Sequence, residues 1–447
     1  MEWVYGFRSM NARNNVRYNI RGEVIFHAAG LGVVYDKNRD VQRFHAGYHA
    51  GDILCLAVDS SRRFCATGEE GDRPGINVWD TQTTRLLCRL GGGGGGGTKG
   101  GTQEEGPHCG GGVSCVTFSH DGRRLASVSN DIDWTLAVWR SQRGDWTDGQ
   151  LIAWRPSSRC KILFVHFTGH SQYFLMTGGM TGSDTGGSVR FWSTKDGEEN
   201  SLCAHKPMFS VKGKVQPLLC AATSGYRLGE ADRVETAYGD GSGGGGGGGD
   251  SKSNGGRQQQ KGKRQQRQSI ADRLVKNPRG TLVTGTASGH LYCWDGLEMI
   301  RPVKAHSRSV TALHAAHGGG SSACLVSGSK DGTVKLWDGR LTLLKCFDMS
   351  EARPSARSLS VRSVCYDPRR ELILVGMRGS ELYEFTRETK ACRQILQGHS
   401  GSQECEVWGM VSSSIHCPMF LFLTVISCLL FSWIFLDRHR IPPIHTF

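Results

Sequence analysis

The chain has 447 residues and lacks most of the short signatures that announce chemistry. None of its 16 cysteines forms a C-x-x-C pair, and most sit inside apolar runs such as Ile53-Leu54-Cys55-Leu56 and Ser114-Cys115-Val116. A zinc site or disulfide framework wants paired, loop-borne cysteines, so these read as small buried hydrophobes in a reducing compartment. Neither G-x-x-x-x-G-K-[ST] nor a strand-bounded G-x-G-x-x-G occurs, and no cofactor or metal is expected. Without a heptad segment the chain is expected to be a monomer. Met1-Glu2-Trp3-Val4-Tyr5 lacks a basic segment followed by an apolar one, so no secretory signal is expected and the cytosol is the expected compartment.

What is abundant is glycine, 62 residues, about twice the usual share of ~7%. The glycines cluster instead of recurring every third residue, which excludes collagen, and 11 Trp, 17 Phe and 10 Tyr imply a substantial core. Lys and Arg number 54 against 41 Asp and Glu, a formal net charge of +13.

Short β-rich units recur along the chain, several ending in an apolar-Trp pair. The best is Ala305-His306-Ser307-Arg308-Ser309-Val310-Thr311-Ala312-Leu313, followed by Cys324 to Asp338. Its strands alternate in period two, and Asp331-Gly332 supplies the chemistry of a tight hairpin turn. This unit resembles a WD40 blade in all its parts. Weaker copies run from His49 to Trp79-Asp80, Val113 to Trp139, Ile162 to Trp192, Pro217 to Trp294-Asp295 around an insert, and Val361 to Phe385, where Tyr383 stands in the Trp position. One four-stranded blade cannot bury both faces alone, so six such units imply a β-propeller.

Two inserts explain the glycine. Residues 91–112 hold one run in a loop between blades, and residues 225–276 hold another that splits a blade in mid-hairpin. Both are expected to be disordered, a condition that loops tolerate because closure entropy grows slowly with length. In the longer insert Arg257, Lys261, Lys263, Arg264 and Arg267 form a cationic stretch without an anion. It reads as a solvated low-complexity loop, with an electrostatic contact to a polyanion as the sharper alternative.

Residues 1–45 are not a standard repeat. They carry Trp3, Val4, Tyr5, Gly6, Phe7 and Arg8, then Arg13, Asn14 and Asn15, then two apolar runs about Ala28-Ala29-Gly30. Trp3, Tyr5 and Phe7 alternate on one face of an extended segment, and the apolar runs resemble buried strands. They make a seventh blade, so the expected fold is an all-β, seven-bladed WD40 β-propeller. The W-V-Y-G-F-R block with R-N-N resembles the HELP motif of the echinoderm microtubule-associated protein-like (EMAP-like) family, among members that lack an N-terminal coiled coil. Ile395-Leu396-Gln397-Gly398-His399 leading to Glu406-Val407-Trp408-Gly409-Met410 is similar to the segment that opens the family's second propeller.

The resemblance implies a HELP segment, residues 1–45, built into a propeller whose repeats occupy residues 46–395. It implies binding to tubulin or microtubules, a cytoplasmic, cytoskeletal location and no catalysis. Residues 396–416 would begin a truncated further repeat. Residues 417–447 depart from the pattern, and within them Met419 to Leu436 is an uncharged apolar run of about 18 residues, at the lower edge of a membrane span. The tail reads as a membrane anchor or as an alternative or mispredicted exon; Arg438, His439 and Arg440 would lie on the far side of the membrane, against the usual charge asymmetry.

His306, Ser327 and Asp331 superficially offer a Ser/His/Asp set. With Trp337 they are expected instead to form the hydrogen-bonded tetrad that fixes a WD40 blade, since no nucleophile elbow accompanies them. His45/His49 and His166/His170 have i, i+4 spacing, which in strand context separates side chains by over ~13 Å and argues against a metal. Three function classes remain: a tubulin-binding propeller, a general protein-interaction scaffold that is membrane-tethered if the tail is an anchor, and nucleic-acid binding through the Arg257 to Arg267 stretch. That stretch lacks the aromatic interleaving of single-strand sites, so nucleic acid is the weakest.

Overall fold

Strands buried on both faces need neighbours on both sides, and the computed structural model shows where this chain finds them. The structure describes residues 2–92, 107–169, 171–181, 189–194, 202–210, 213–224, 280–316, 323–352, 358–388, 391–397 and 410–411. The first insert except its ends, the whole of the 225–276 insert with Arg257, Lys261, Lys263, Arg264 and Arg267, and the whole 417–447 tail lie outside the described residues. Among the described residues no helix is long and apolar enough to cross a membrane.

Seven antiparallel sheets follow one another in sequence, each an up-and-down meander. Blade 1 is Arg17–Tyr18, Val24–Ala28, Leu31–Asp36 and Val41–His45. The first strands of blades 2 to 7 are Ile53–Val58, Val113–Phe118, Ile162–Phe167, Leu218–Ser224, Val310–Ala315 and Val361–Asp367. Blade 5 gains a fifth strand, Met208–Phe209, parallel to its outer strand Glu298–Lys304. In this blade Ser224 pairs with Thr281 across the hairpin, so the chain between them joins two adjacent strand ends. Tyr5–Trp408 form one compact unit holding all seven blades. Trp3–Val4 pairs antiparallel with Met410–Val411.

The core lies between blades. Phe64–Glu69, Arg124–Ser129, Phe174–Gly179 and Thr281–Thr286, each the second strand of its blade, are buried at every position. Apolar clusters join successive sheets; in one, Val334, Leu336 and Phe347 of blade 6 meet Val364, Tyr366 and Ile373 of blade 7. A repeated notch sets the spacing. A Cβ added to Gly68, Gly285 or Gly328, on the second strand of blades 2, 5 and 6, would come within 2.7 Å of Val113, Val310 or Val361, each the first residue of the next blade's inner strand. Any side chain there would force the blades apart.

Blade 7 has the same notch at Gly376, but no later blade follows it in the ring. Phe7 fills the place: a Cβ on Gly376 would lie 2.7 Å from its ring, and Phe7 is 0% exposed. The expected shared face of Trp3, Tyr5 and Phe7 is not observed. Gly6 has φ +77°, a left-handed conformation that breaks the alternation, and leaves Tyr5 43% exposed. Beyond Phe7 the segment is sewn to blade 7 by Ser9 Oγ donating to Arg378 O (2.7 Å), Asn14 N to Arg362 O (3.1 Å) and Val16 N to Ser363 Oγ (3.0 Å). Tyr18 donates to Glu384 Oε1 (2.5 Å), and Lys37 forms an ion pair with the same carboxylate.

Phe7→Ala is expected to destabilise the propeller by about 3–5 kcal/mol, read as a lower urea midpoint, because an aromatic is deleted at the ring's seam. Glu384→Ala is expected to cost about 3–5 kcal/mol, since it leaves Lys37 buried without its counter-charge; stability of Glu384→Ala equal to that of Lys37→Met/Glu384→Leu would show that the unpaired Lys37 costs nothing.

Candidate functional site

Each blade must satisfy the polar groups it buries, and the second and third strands do so with a repeated pair. Trp Nε1 donates to a hydroxyl in five blades: Trp79 to Thr67 (3.2 Å), Trp139 to Ser127 (2.8 Å), Trp192 to Thr177 (2.9 Å), Trp294 to Thr284 (2.9 Å) and Trp337 to Ser327 (2.8 Å). In blade 7 both are replaced: the Trp of the other blades pairs with the residue two before the hydroxyl, as Trp337 does with Leu325, and here that pair is Phe385 with Ile373, while Val375 takes the hydroxyl's place. The Trp position is therefore Phe385, not Tyr383 as the sequence suggested, because Tyr383 lies two residues earlier on the strand, opposite Val375.

In blade 6 the hydroxyl relays further. Ser327 Oγ lies 2.7 Å from His306 Nε2, while His306 Nδ1 lies 2.8 Å from Thr333 Oγ1 and 3.5 Å from Asp331 Oδ2. Indole N–H can only donate, so the Ser327 proton goes to Nε2 and the imidazole hydrogen sits on Nδ1, facing Asp331. Burial lowers the His306 pKa against the pull of Asp331. Burial raises that of Asp331, but hydrogen bonds from His306 and Thr333 outweigh it and hold the carboxyl well below the usual range. Ser327 is 0% exposed, so its hydroxyl meets no substrate. The structure brings His306, Ser327, Asp331 and Trp337 together in a buried brace to which Thr333 and Ser307 belong: Ser307 N donates to Asp331 Oδ2 (2.9 Å).

Two further braces were not read from the sequence. In blade 2, His49 Nε2 meets Thr67 Oγ1 (2.8 Å) and Nδ1 meets Glu69 Oε2 (3.0 Å), with a glutamate in the role of the aspartate. Burial raises the Glu69 pKa, but His49, the Gly75 and Ala50 amides and Arg89 pull it down to about 2. In blade 3, His108 Nε2 meets Ser127 Oγ (2.8 Å) although His108 stands at the end of the glycine-rich insert. Their signal was the run Ala66-Thr67-Gly68 and its counterpart Val326-Ser327-Gly328, with a Trp in the following strand. His45 and His49 are also closer than expected, with ring centroids 5.9 Å apart, because the chain turns at Gly47 (φ +79°) between them. Among the described residues no group of three or more His, Cys, Asp or Glu could hold a metal ion. His166 bonds Thr223 (3.2 Å), and His170 lies outside the described residues.

The N-terminal signature residues divide their work. Arg8, 4% exposed, reaches blade 2 through Asp52 (3.0 Å) and the Ile53 carbonyl (3.3 Å) and also donates to Asn11 (2.8 Å). Asn15 Nδ2 donates to the Arg8 carbonyl (2.6 Å) and lies 3.1 Å from His27 Nε2. Asn14 takes a left-handed φ of +50°, which asparagine tolerates, and so hands the chain to blade 7. Arg13 points to a central cavity of about 640 Å³ ringed by the inner strands, with Arg17 and Arg362 also on its wall.

Repeated braced blades around a channel, closed by a distinct N-terminal segment, define a WD40-repeat β-propeller with a HELP motif. The HELP motif model matches residues 1–33, and the model described as WD domain, G-beta repeat matches residues 103–140 and 297–338. The chain's homologues are EMAP-like proteins over 95% of its length. It is 24% identical over 442 residues to Echinoderm microtubule-associated protein-like 1 of Rattus norvegicus, covering 95% of this chain and 42% of that protein. It is also 24% identical over 432 residues to the Ciliary WD repeat-containing protein ctxp80 of Euplotoides octocarinatus, covering 92% of this chain and 46% of that protein. With Echinoderm microtubule-associated protein-like 2 of Mus musculus, identity is 28% over 230 residues, 49% of this chain and 31% of that protein. The chain thus spans about two-fifths of the length of the first of these.

The buried histidines make the fold acid-sensitive. Burial, with Arg8 and His49 nearby, pushes His27 down to about 3; burial takes His108 to about 4, and takes His45 to about 4 despite its bond to the Thr84 carbonyl. These folded values lie below the ordinary 6.5, so as pH falls through 6.5 the unfolded chain takes up protons that the folded chain refuses. Stability is full above that value and falls toward pH 4, by up to about 1.4 kcal/mol per pH unit for each fully uncoupled site. The urea midpoint is expected to drop between pH 7 and pH 5, and His45→Gln is expected to flatten that drop; a flat midpoint in the parent chain would contradict the assignment of neutral buried imidazoles.

Proposed function

We propose that this chain is a non-catalytic microtubule-associated protein that binds tubulin through one face of its HELP-WD40 propeller and the loops of that face. The observation that carries the reading is the pairing of a HELP segment with a complete seven-bladed ring, in a chain whose similarity to proteins named as microtubule-associated runs along 95% of its length. The charge of +13 favours an acidic protein surface, although charge alone selects no partner. A cytoplasmic, cytoskeletal location follows from this reading. The second reading is a general interaction scaffold. It is favoured by apolar side chains left in solvent on the outer strand of blade 3, Leu151 at 38% and Trp154 at 43%.

Co-pelleting of the full chain with stabilised microtubules, at low and near-physiological salt beside a tubulin-free control, separates the two. Saturable pelleting that survives near-physiological salt is the expected result. Protein that stays in the supernatant at both salts, and does not bind free tubulin in gel filtration, would leave the scaffold reading in its place.

A further inference from the structure

The walls of the central cavity mix polar side chains with apolar ones such as Leu56, Val116, Val165 and Ala221. Five arginines stand on the same wall, and they fall into two groups. Arg8 and Arg62 are neutralised, by Asp52 at 3.0 Å and Asp367 at 2.9 Å. Arg13, Arg17 and Arg362 have no carboxylate partner among the described residues. Arg17 donates only to the neighbouring Val16 carbonyl (2.8 Å), while Arg13 Nη1 and Arg362 Nε are buried without any hydrogen-bond partner. The Asn14 to Arg362 backbone bond holds Arg13 and Arg362 side by side. Burial and mutual repulsion then act together, and Arg362 is pushed down to about 10 by its desolvation and by Arg13 and Arg378. The cavity's carboxylates do not answer this charge: Asp59 is occupied by Ser61 and the Phe64 amide, and Glu70 faces Arg8.

Unpaired buried guanidinium groups cost stability unless something pairs with them. We propose that the channel is a binding site for a small phosphate-class anion, inorganic phosphate, pyrophosphate or a phosphate monoester, held by Arg13, Arg362 and Arg17. Planar N–H forks approaching from the N-terminal segment and from the inner strand of blade 7 suit an anion with several oxygens and two charges better than a lone carboxylate. The volume, about 640 Å³, falls in the range of small-molecule sites, ~300–1,000 Å³. The inference is independent of any tubulin contact, and either can fail without the other.

The test is thermal unfolding and titration calorimetry of the full chain with inorganic pyrophosphate, against sodium chloride and sodium acetate at equal ionic strength. A ligand that binds only the folded state raises Tm by mass action, so a saturable rise of several degrees with pyrophosphate is expected, with acetate far weaker. R13Q/R362Q is expected to abolish the rise, whereas R39Q, whose side chain is 84% exposed, responds as the parent does. R362K keeps the charge and loses the fork, and is expected to weaken binding about tenfold or more; it also decides the matter if the double variant does not fold. No pyrophosphate response in the parent chain, an undiminished response in folded R13Q/R362Q, or unchanged affinity in R362K would each overturn the proposal. Orthophosphate and glucose 6-phosphate, titrated in parallel, tell a free anion from a phosphate ester.

Discussion

Everything in this molecule depends on closing a ring whose units all want a neighbour on both sides. Six of the seven inter-blade contacts arise in order along the chain, because each blade is followed at once by the next. The seventh joins residues more than three hundred positions apart, and sequence adjacency contributes nothing to it. The chain meets the requirement by re-using a device. Glycines at 68, 285 and 328 leave a notch for the valine that opens the next blade, and the glycine at 376 leaves the same notch for Phe7. Around that contact Ser9, Asn14, Val16 and Tyr18 bind blade 7 while Arg8 binds blade 2. The HELP block is therefore a clasp, and closing the ring dictates its residue types. An aromatic fills the notch, a glycine and an asparagine supply left-handed backbone, and an arginine is long enough to span to the second blade.

The braces solve a different problem. A strand with both faces buried still carries hydroxyl, imidazole and indole groups, and each needs a partner in a low dielectric. Trp Nε1 and the hydroxyl near it satisfy one another, and where the Trp became Phe385 the hydroxyl became Val375. That joint loss is what pairwise satisfaction demands: a buried Ser or Thr without its indole would be left short of a donor, and an apolar pair is safer. Among the described residues the histidine and acid are added in blades 2 and 6, with His108 alone in blade 3. Polar bracing is thus graded around the ring, while apolar packing between blades is continuous.

The repeat, the blade number and the blade 6 tetrad were legible because they rest on local pattern: period-two strands, a turn dipeptide and a Trp at a fixed interval. What escaped reading was set by tertiary geometry. Glu69 is an atypical acid that only its distance to His49 reveals, and His108 is hidden in a run of glycines that reads as spacer. The separation expected for His45 and His49 assumed a continuous strand, yet Gly47 turns the chain and brings the rings together. The shared face expected of Tyr5 and Phe7 failed for the same reason, a single left-handed glycine between them. In both cases a period-two argument was carried across a residue that does not keep the period.

The clasp also explains why cations gather in the channel. The backbone amides of Asn14 and Val16 bond blade 7, while the side chains of Arg13, Arg17 and Arg362 stand on the cavity wall. Closure alone does not require arginine at those positions; a small apolar residue would line the axis as Ala221 does, without burying a charge. Stability argues for replacing them, and the ring already holds two other wall arginines in ion pairs with Asp52 and Asp367. Three wall guanidinium groups without a carboxylate partner among the described residues are a cost that folding does not explain, and a cost of that kind is the signature of a site.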